Sequence, residues 1–130
     1  MAVDRNLRIL LVDDQNTFLE IMRAILRQLG FRYVDEARDG AKAIDALRGA
    51  VDPYGLVISD WNMQPMTGLQ LLQTVRAEPA LAAIPFIMVT GEASKDRVVA
   101  AAGAGVTAYL AKPVSVDSVK KRLVKVLGEF

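Results

Sequence analysis

The side chains best suited to chemistry in this sequence stand at the ends of short apolar runs. Asp13 and Asp14 follow the first run, Asp60 follows the third, and Thr90 follows the fourth. Lys112 stands near the end of the fifth. If these runs are parallel strands, their carboxyl ends meet at one edge of a sheet, where open α/β sheets bind ligands. We therefore expect three carboxylates, a hydroxyl and an ammonium group to converge at that edge.

This set of residue types favours a magnesium and phosphoryl site. Three carboxylates in one cleft repel each other, so they need raised pKa values or a bound cation. Oxygen ligands favour a hard ion, and Mg²⁺ commonly bridges protein carboxylates to a phosphate. Thr90 can donate a hydrogen bond to one phosphoryl oxygen, and Lys112 can offer its charge to another. A carboxylate between a metal and an ammonium group can also act as the nucleophile in phosphoryl transfer.

Taken singly, these residues have ordinary structural explanations. Asp14 can cap the helix that follows it. Thr90, which precedes Gly91, can belong to a turn. Lys112, which precedes Pro113, can be a solvent-exposed loop lysine. The joint occurrence of these residue types at four strand ends is what favours a functional site.

Missing residue types narrow the chemistry further. The 130 residues include no Cys and no His, which excludes disulfides, thiolate or imidazole metal ligands, and histidine acid–base catalysis. Any phosphohistidine donor must therefore lie on a partner, unless a small molecule supplies the phosphoryl group. The net charge of +1 creates no strong field toward nucleic acid or membranes. No apolar run approaches the ~20 residues of a membrane span, and we expect a cytoplasmic protein.

The elements that must position these residues alternate between strand and helix. Strands are predicted at residues 7–12, 33–37, 56–59, 84–89 and 106–110. Helical periodicity occupies residues 15–29, 39–47, the segment between Pro65 and Pro79, residues 94–102, and a last helix capped by Ser115. Apolar runs without polar alternation predict strands buried on both faces of a parallel sheet. Fivefold alternation predicts one doubly wound, three-layer α/β domain over residues 1–130, without an output domain.

Four segments around the candidate site form a specific motif set. They are Leu11-Val12-Asp13-Asp14, Val57-Ile58-Ser59-Asp60-Trp61-Asn62-Met63, Met88-Val89-Thr90 and Tyr109-Leu110-Ala111-Lys112-Pro113. Together they resemble the response regulator receiver domain family, and most of all its CheY-like chemotaxis members. The likeness runs from about Arg8 to Leu127. It implies a flavodoxin-like (βα)5 fold with the strand order 2-1-3-4-5.

The resemblance implies an acceptor and a metal site. Asp60 would be the phosphoacceptor. Mg²⁺ would be bound by Asp13, Asp14, Asp60 and the backbone carbonyl of Asn62. The side chain of Asn62 would also tune hydrolysis of the acyl phosphate. The chain would catalyse only its own phosphorylation and dephosphorylation, so it would not be an enzyme acting on external substrates.

The resemblance also implies a switch. Thr90 and Lys112 would contact the phosphoryl group, and Tyr109 would swing inward as Thr90 moves toward it. Glu92 would help to tune hydrolysis. The peptide bond between Lys112 and Pro113 would be cis.

The loop after Asp60 departs from the family pattern. Relatives usually have proline directly after the methionine, whereas this chain has Gln64 there and Pro65 one position later. Relatives often have an acidic residue before the glycine, whereas this chain has Thr67 before Gly68. These departures leave the shape of the loop open, although they spare the acceptor and the metal ligands.

Partners follow from the same resemblance. A histidine kinase of the CheA type would donate the phosphoryl group to a monomeric chain. The readout face would comprise the fourth helix, the fifth strand and the fifth helix. Its basic residues are Lys95, Arg97, Lys120, Lys121, Arg122 and Lys125. A basic face favours an acidic protein partner, such as a flagellar motor switch protein or a phosphatase, over DNA.

Other functions remain as alternatives. Within the family, the chain could be a phosphate sink or relay intermediate instead of a messenger. Haloacid-dehalogenase-like phosphatases use similar residues, but their nucleophile follows the first strand and an acid/base Asp stands two residues later, where this chain has Asn62. Flavodoxin-like FMN binding would need a phosphate loop rich in Ser, Thr and Gly after the first strand. This chain instead has Asp13 and Asp14 there, whose negative charges would repel a phosphate.

Overall fold

In the computed structural model, residues 3–92 and 94–128 are described. Strands in this part of the chain are β1 (Arg8–Val12), β2 (Tyr33–Ala37), β3 (Leu56–Asp60), β4 (Phe86–Thr90) and β5 (Ala108–Ala111). Helices are α1 (Asn16–Gln28), α2 (Gly40–Gly49), α3 (Gly68–Ala77), α4 (Lys95–Gly103) and α5 (Val116–Leu127). None of these helices is both long enough and apolar enough to cross a membrane.

The strands form one parallel sheet in the order β2-β1-β3-β4-β5. This order and the doubly wound α/β fold confirm the predicted fold class. The chain moves from β1 outward to β2 and then returns across β1 to β3, so the direction of winding reverses between β1 and β3. A cleft opens at such a reversal, beyond the carboxyl ends of the two strands. The ends of β1 and β3 are where the sequence places the carboxylates.

Alternating side chains of the sheet build two separate cores. Ile9 and Leu11 of β1 pack on one face, among side chains of α1 and α5 that include Met22 and Leu123. Leu10 and Val12 point to the opposite face, where the buried side chains of α2, α3 and α4 pack. Both faces of the sheet are therefore covered, which explains why the central strands are continuously apolar. The result is the three-layer arrangement that the sequence predicts.

Three strands, β3, β4 and β5, end one residue later than predicted. Asp60 pairs with Val89 and Thr90 pairs with Ala111, so both polar residues are the last residues of their strands. The prediction that they follow the strands was wrong because the parallel ladder, and not the apolar run, sets the end of the strand. The start of β4 was also misplaced. The N–H of Ile84 donates to the carbonyl of Leu81 in a turn, at 3.1 Å, so Ile84 lies outside the sheet.

Most predicted helix signals are confirmed. Asp39 caps α2 by accepting a hydrogen bond from the N–H of Lys42 at 2.8 Å, and Ser115 caps α5. Gly30, after α1, has a φ of +95°, a conformation that favours glycine. Asp14 does not cap α1. The N-cap position belongs to Gln15, whose side chain makes no capping bond, so the Asp14 carboxylate has no structural task at the helix start.

Candidate functional site

Three carboxylates meet at the carboxyl edge of the sheet. Asp13 and Asp14 follow β1, and Asp60 ends β3. One oxygen from each of these carboxylates lies within 4.8 Å of the others. Asp13 and Asp60 are buried, while Asp14 is exposed. The predicted acidic cluster is therefore present, with two members in the wall of the cleft and one at its mouth.

The carboxylate of Asp13 is only partly satisfied by the protein. Its Oδ1 accepts a hydrogen bond from the N–H of Gln15 at 2.9 Å. Its Oδ2 is buried and has no hydrogen-bond partner among the described residues. Burial, and secondarily the charge of Asp60, raises the pKa of Asp13 to about 6. A buried oxygen left without a donor is costly unless a ligand completes it, and a cation of the magnesium type fits this requirement.

Lys112 supplies the positive charge of the site. Its ammonium nitrogen lies 3.1 Å from Oδ1 of Asp60 and 3.6 Å from Oδ2 of Asp13. The same nitrogen sits 4.4 Å from the centre of the Phe18 ring, a cation–π contact that fixes its position. The backbone N–H of Lys112 donates to the carbonyl of Thr90 at 2.9 Å, and its peptide bond to Pro113 is cis. Lys112 therefore faces the acceptor predicted from the sequence.

Thr90 is fully buried at the end of β4. Its hydroxyl oxygen accepts hydrogen bonds from the N–H of Glu92 at 3.1 Å and from Nη1 of Arg97 at 3.0 Å. The hydroxyl also donates to the carbonyl of Glu92 at 3.4 Å. The hydroxyl of Thr90 is thus bound to the segment that follows β4 in this structure.

Tyr109 is half-buried next to this segment. Its hydroxyl donates to the carbonyl of Glu92 at 3.2 Å. Its ring meets the Trp61 ring edge-on, with the centroids 6.5 Å apart and the planes at 69°. Burial raises the pKa of Tyr109 above its ordinary value. Tyr109 and Thr90 therefore share the Glu92 carbonyl as a hydrogen-bond acceptor, which connects the two residues that the sequence assigns to the switch.

The loop after Asp60 is folded back tightly on itself. The N–H groups of Met63 and Gly68 donate to the carbonyl of Trp61 at 3.1 and 2.9 Å. A Cβ atom on Gly68 would collide with the carbonyl oxygen of Asp60 and would lie 2.9 Å from Cα of Trp61. Only glycine allows this approach. The loop thus holds the backbone of Asp60 against the start of α3.

One of the two departures in this loop, Thr67, has a structural role. Thr67 is the N-cap of α3, and its hydroxyl accepts from the N–H of Gln70 at 3.2 Å. The Gln70 side chain accepts from the N–H of Thr67 at 2.9 Å, which completes a capping box. The bond between Gln64 and Pro65 is cis. Thr67 therefore starts a helix instead of adding a charge to the cleft.

Arg97 lies against the site, and sequence reasoning missed this. Its guanidinium stacks over the ring of Trp61, 4.8 Å from the centroid, and donates to Oδ1 of Asn62 at 3.0 Å as well as to Thr90. The sequence assigned Arg97 to the exposed basic face. No local signal distinguishes Arg97 from Lys95, which is also basic and in the first turn of α4 but is exposed.

The other predicted readout residues lie on exposed surfaces of α4 and α5. They are Lys95, Lys120, Lys121, Arg122 and Lys125. Nε of Arg122 donates to the carbonyl of Tyr109 at 2.8 Å, which ties α5 to β5. The exposed apolar side chains Val98 and Val99 of α4 add a non-polar component. The structure therefore presents basic and apolar groups on the predicted readout elements.

The backbone carbonyl of Asn62 as a metal ligand stays a prediction.

Comparisons with known proteins agree with this geometry. A family profile described as the response regulator receiver domain matches residues 9–124. Chemotaxis protein CheY-3 of Vibrio cholerae is 38% identical over 124 residues, spanning 95% of this chain and 94% of that protein. Chemotaxis protein CheY of Pseudomonas aeruginosa is 40% identical over 120 residues, spanning 92% of this chain and 95% of that protein.

A solved structure gives the same result at the level of the fold. The chemotaxis response regulator CheY4 of Vibrio cholerae superposes with a TM-score of 0.84 at 30% sequence identity. The superposition covers 93% of this chain and 98% of that chain. The profile, the sequence relatives and the solved structure all point to the same family. The chain belongs to the response regulator receiver domain family, and within it closely resembles the CheY chemotaxis regulators.

Proposed function

We propose that this chain is a CheY-like response regulator of a two-component phosphorelay, acting in the cytoplasm. Asp60 accepts a phosphoryl group from a histidine kinase in a Mg²⁺-dependent reaction. The observation that carries the proposal is the placement of Lys112 Nζ 3.1 Å from Oδ1 of Asp60, beside the Oδ2 of Asp13, a buried oxygen that accepts no hydrogen bond from the described residues. A carboxylate so placed has a fixed counter-charge on one side and room for a cation on the other.

The residues that would hold the cation are Asp13, Asp14, Asp60 and the backbone carbonyl of Asn62. Bound Mg²⁺ would neutralise the negative charge of the phosphoryl oxygens during transfer. Burial of Asp13 lowers the cost of gathering the ligands, since the carboxylate is already removed from water and oriented by the N–H of Gln15. The exposed Asp14 leaves one side of the site open to water and to the incoming phosphoryl group.

The transfer step is a substitution at phosphorus. A carboxylate oxygen of Asp60 forms the new bond to phosphorus, while the bond from phosphorus to the donor imidazole nitrogen breaks and its electron pair remains on that nitrogen. The donor histidine belongs to the partner, since this chain has no His. Lys112 keeps its ammonium group at the oxygens of the acceptor, and Thr90 can turn its hydroxyl hydrogen from the Glu92 carbonyl to a phosphoryl oxygen.

The output is a change at the elements around Tyr109. When the hydroxyl of Thr90 moves away from the segment after β4, the Glu92 carbonyl loses one of its two hydroxyl donors. Tyr109, which donates to the same carbonyl, then moves inward. Asn62 and Glu92 then tune the loss of the phosphoryl group by hydrolysis. The exposed basic residues of α4 and α5, with Val98 and Val99 beside them, favour an acidic protein partner with apolar anchors. In the chemotaxis reading, the partner is a flagellar motor switch protein or a phosphatase.

The acceptor is tested by incubation with acetyl phosphate and Mg²⁺, followed by intact mass measurement. One phosphoryl adduct is expected on the wild-type chain, none on Asp60→Asn, and none after chelation of the metal. A full yield of adduct on Asp60→Asn would contradict the assignment. Steady turnover of a phosphate ester beyond one equivalent would instead favour a phosphatase of the haloacid dehalogenase type.

The messenger role is tested separately from the acceptor. The chain is immobilised with Mg²⁺ and beryllofluoride, a mimic of the phosphoryl group, and is probed with a purified motor switch protein. Binding that requires beryllofluoride supports the messenger. Phosphoryl exchange with kinases, without such binding, supports the phosphate sink or relay intermediate. The exposed basic and apolar groups of α4 favour the first outcome.

A further inference from the structure

Arg97 is held from several sides at the rim of the site. Nη1 donates to Oγ1 of Thr90 and Nη2 donates to Oδ1 of Asn62, both at 3.0 Å. Nε lies 3.5 Å from Oε2 of Glu92, and the guanidinium plane covers the ring of Trp61. Only 23% of the Arg97 side chain is exposed. The guanidinium is therefore fixed by groups other than Thr90, and its position does not depend on that one hydrogen bond.

The bond from Arg97 constrains the switch hydroxyl. A threonine hydroxyl has one hydrogen to donate and two lone pairs to accept with. The Thr90 oxygen accepts from Arg97 and from the N–H of Glu92, and the hydroxyl can donate to the Glu92 carbonyl, 3.4 Å away. The hydrogen and the two lone pairs of a hydroxyl turn together, so aiming the hydrogen at a phosphoryl oxygen on Asp60 turns the lone pairs away from the guanidinium, which stays bound to Trp61 and Asn62. The contact is thus stronger before the movement than after it.

We propose that Arg97 is a positioning residue that holds the Thr90 hydroxyl in the unphosphorylated arrangement, so that phosphorylation of Asp60 has to break the hydrogen bond between Arg97 and Thr90. This inference rests on the proposed function. It assigns Arg97 a role distinct from the exposed basic residues of α4 and α5. Since a ligand shifts a two-state equilibrium only by its differential contacts, removal of a contact made in one state alone moves the balance toward the other.

The measurement is the affinity of the chain for beryllofluoride in saturating Mg²⁺, by titration calorimetry. Arg97→Gln is expected to bind roughly threefold to tenfold more tightly, the equilibrium effect of one partly exposed, charge-assisted hydrogen bond. Arg97→Lys keeps the charge but cannot bridge Thr90 and Asn62 with one ammonium group, so it is also expected to bind more tightly. Lys42→Gln removes the same charge from the exposed face of α2 and is expected to match the wild-type chain.

A double-mutant cycle separates positioning from a general structural effect. Thr90→Ala removes the hydroxyl on which Arg97 acts, so Arg97→Gln is expected to give no further gain in that background. An equal gain with and without Thr90 would overturn the inference. Unchanged affinity in Arg97→Gln would also overturn it. Weaker affinity would overturn it in favour of an arginine that binds the phosphoryl group directly.

Failure of this inference is distinguishable from failure of the proposed function. If wild-type beryllofluoride binding is absent, or is equally strong in Asp60→Asn, the acceptor assignment fails and the role of Arg97 fails with it. If the wild-type chain binds through Asp60 but Arg97→Gln shows no gain, only the role of Arg97 fails. Thermal unfolding of each variant, followed by far-UV circular dichroism, verifies that the compared chains are folded.

Discussion

Lys112 Nζ and Oδ1 of Asp60 lie 3.1 Å apart across the ends of β5 and β3. The pair is not isolated, since the same nitrogen lies 3.6 Å from the buried Oδ2 of Asp13. One ammonium group therefore offsets part of the charge of two carboxylates. The ion pair holds the Asp60 oxygen in place, because the Phe18 ring supports the ammonium from the other side.

Replacement of Lys112 by methionine should slow phosphorylation of Asp60. The substitution keeps the apolar stem but removes the charge that stabilises the transferring phosphoryl group, so we expect a rate roughly 10-fold to 100-fold lower with acetyl phosphate. Stopped time points analysed by intact mass give the rate. Lys42→Met, at an exposed site on α2, is the matched control. A rate for Lys112→Met equal to that of the control would show that the ion pair has no part in transfer.

Removal of the Asp13 charge should stabilise the metal-free fold. Burial raises the pKa of Asp13 to about 6 from an ordinary value of 3.8. The folded pKa is the higher one, so the contribution of Asp13 to stability is fully present below pH 3.8 and is lost as the pH rises through about 6. Asp13→Asn should then raise the free energy of unfolding at pH 7 by up to about 3 kcal/mol.

Urea unfolding in the presence of a chelator measures this difference. The advantage of Asp13→Asn over the wild-type chain should shrink as the pH falls from 7 to 4, and it should reverse when Mg²⁺ is added at pH 7. An advantage that stays constant across this range would mean that Asp13 is not the titrating group.

The affinity for Mg²⁺ should increase as the pH rises. Below about pH 6 the carboxyl of Asp13 carries a proton that the cation has to displace. Affinity should therefore fall by up to about tenfold for each pH unit well below 6, with a proton released on binding. Calorimetry in buffers of different ionisation enthalpy counts that proton. Asp52→Asn, at an exposed position before β3, should leave the profile unchanged, and a flat wild-type profile from pH 7 to 5 would contradict the prediction.

A methyl group at position 68 should displace the backbone of Asp60. Its Cβ would collide with the carbonyl oxygen of Asp60, so Gly68→Ala should lower the free energy of unfolding by roughly 1–3 kcal/mol and reduce the phosphorylation rate. The control is Gly49→Ala at the end of α2, where a Cβ would meet nothing within 4 Å. That variant should be neutral or slightly more stable. Wild-type stability and rate in Gly68→Ala would indicate that the loop can shift freely.

The fold was predictable because its signals are local and repeated. Apolar runs such as Leu56–Ser59 lack polar alternation, which is typical of strands covered on both faces. Helix starts were predictable where a side chain caps the backbone, as at Asp39 and Ser115. The ends of β3 and β4 were each placed one residue early, since Asp60 and Thr90 are polar and the sheet pairing that includes them depends on neighbouring strands.

The position of Arg97 could not be derived in the same way. A long side chain in the first turn of a helix can extend into solvent or fold back. Its conformation depends on which residues of other elements lie near it. Here the contacts come from Trp61 and Asn62, which directly follow β3, and from Thr90 at the end of β4. These contacts join residues that are distant in the sequence. The capping role of Thr67 is more local, since a threonine three residues before Gln70 fits the capping-box pattern.

The ring of Trp61 lies directly after the acceptor, under the Arg97 guanidinium and against the edge of Tyr109. It is the single tryptophan of the chain. Movement of either neighbour changes the electric field and the quenching groups around the indole. The molecule therefore carries its own optical probe, whose emission should report the proposed cation binding and phosphoryl transfer in real time without any attached label.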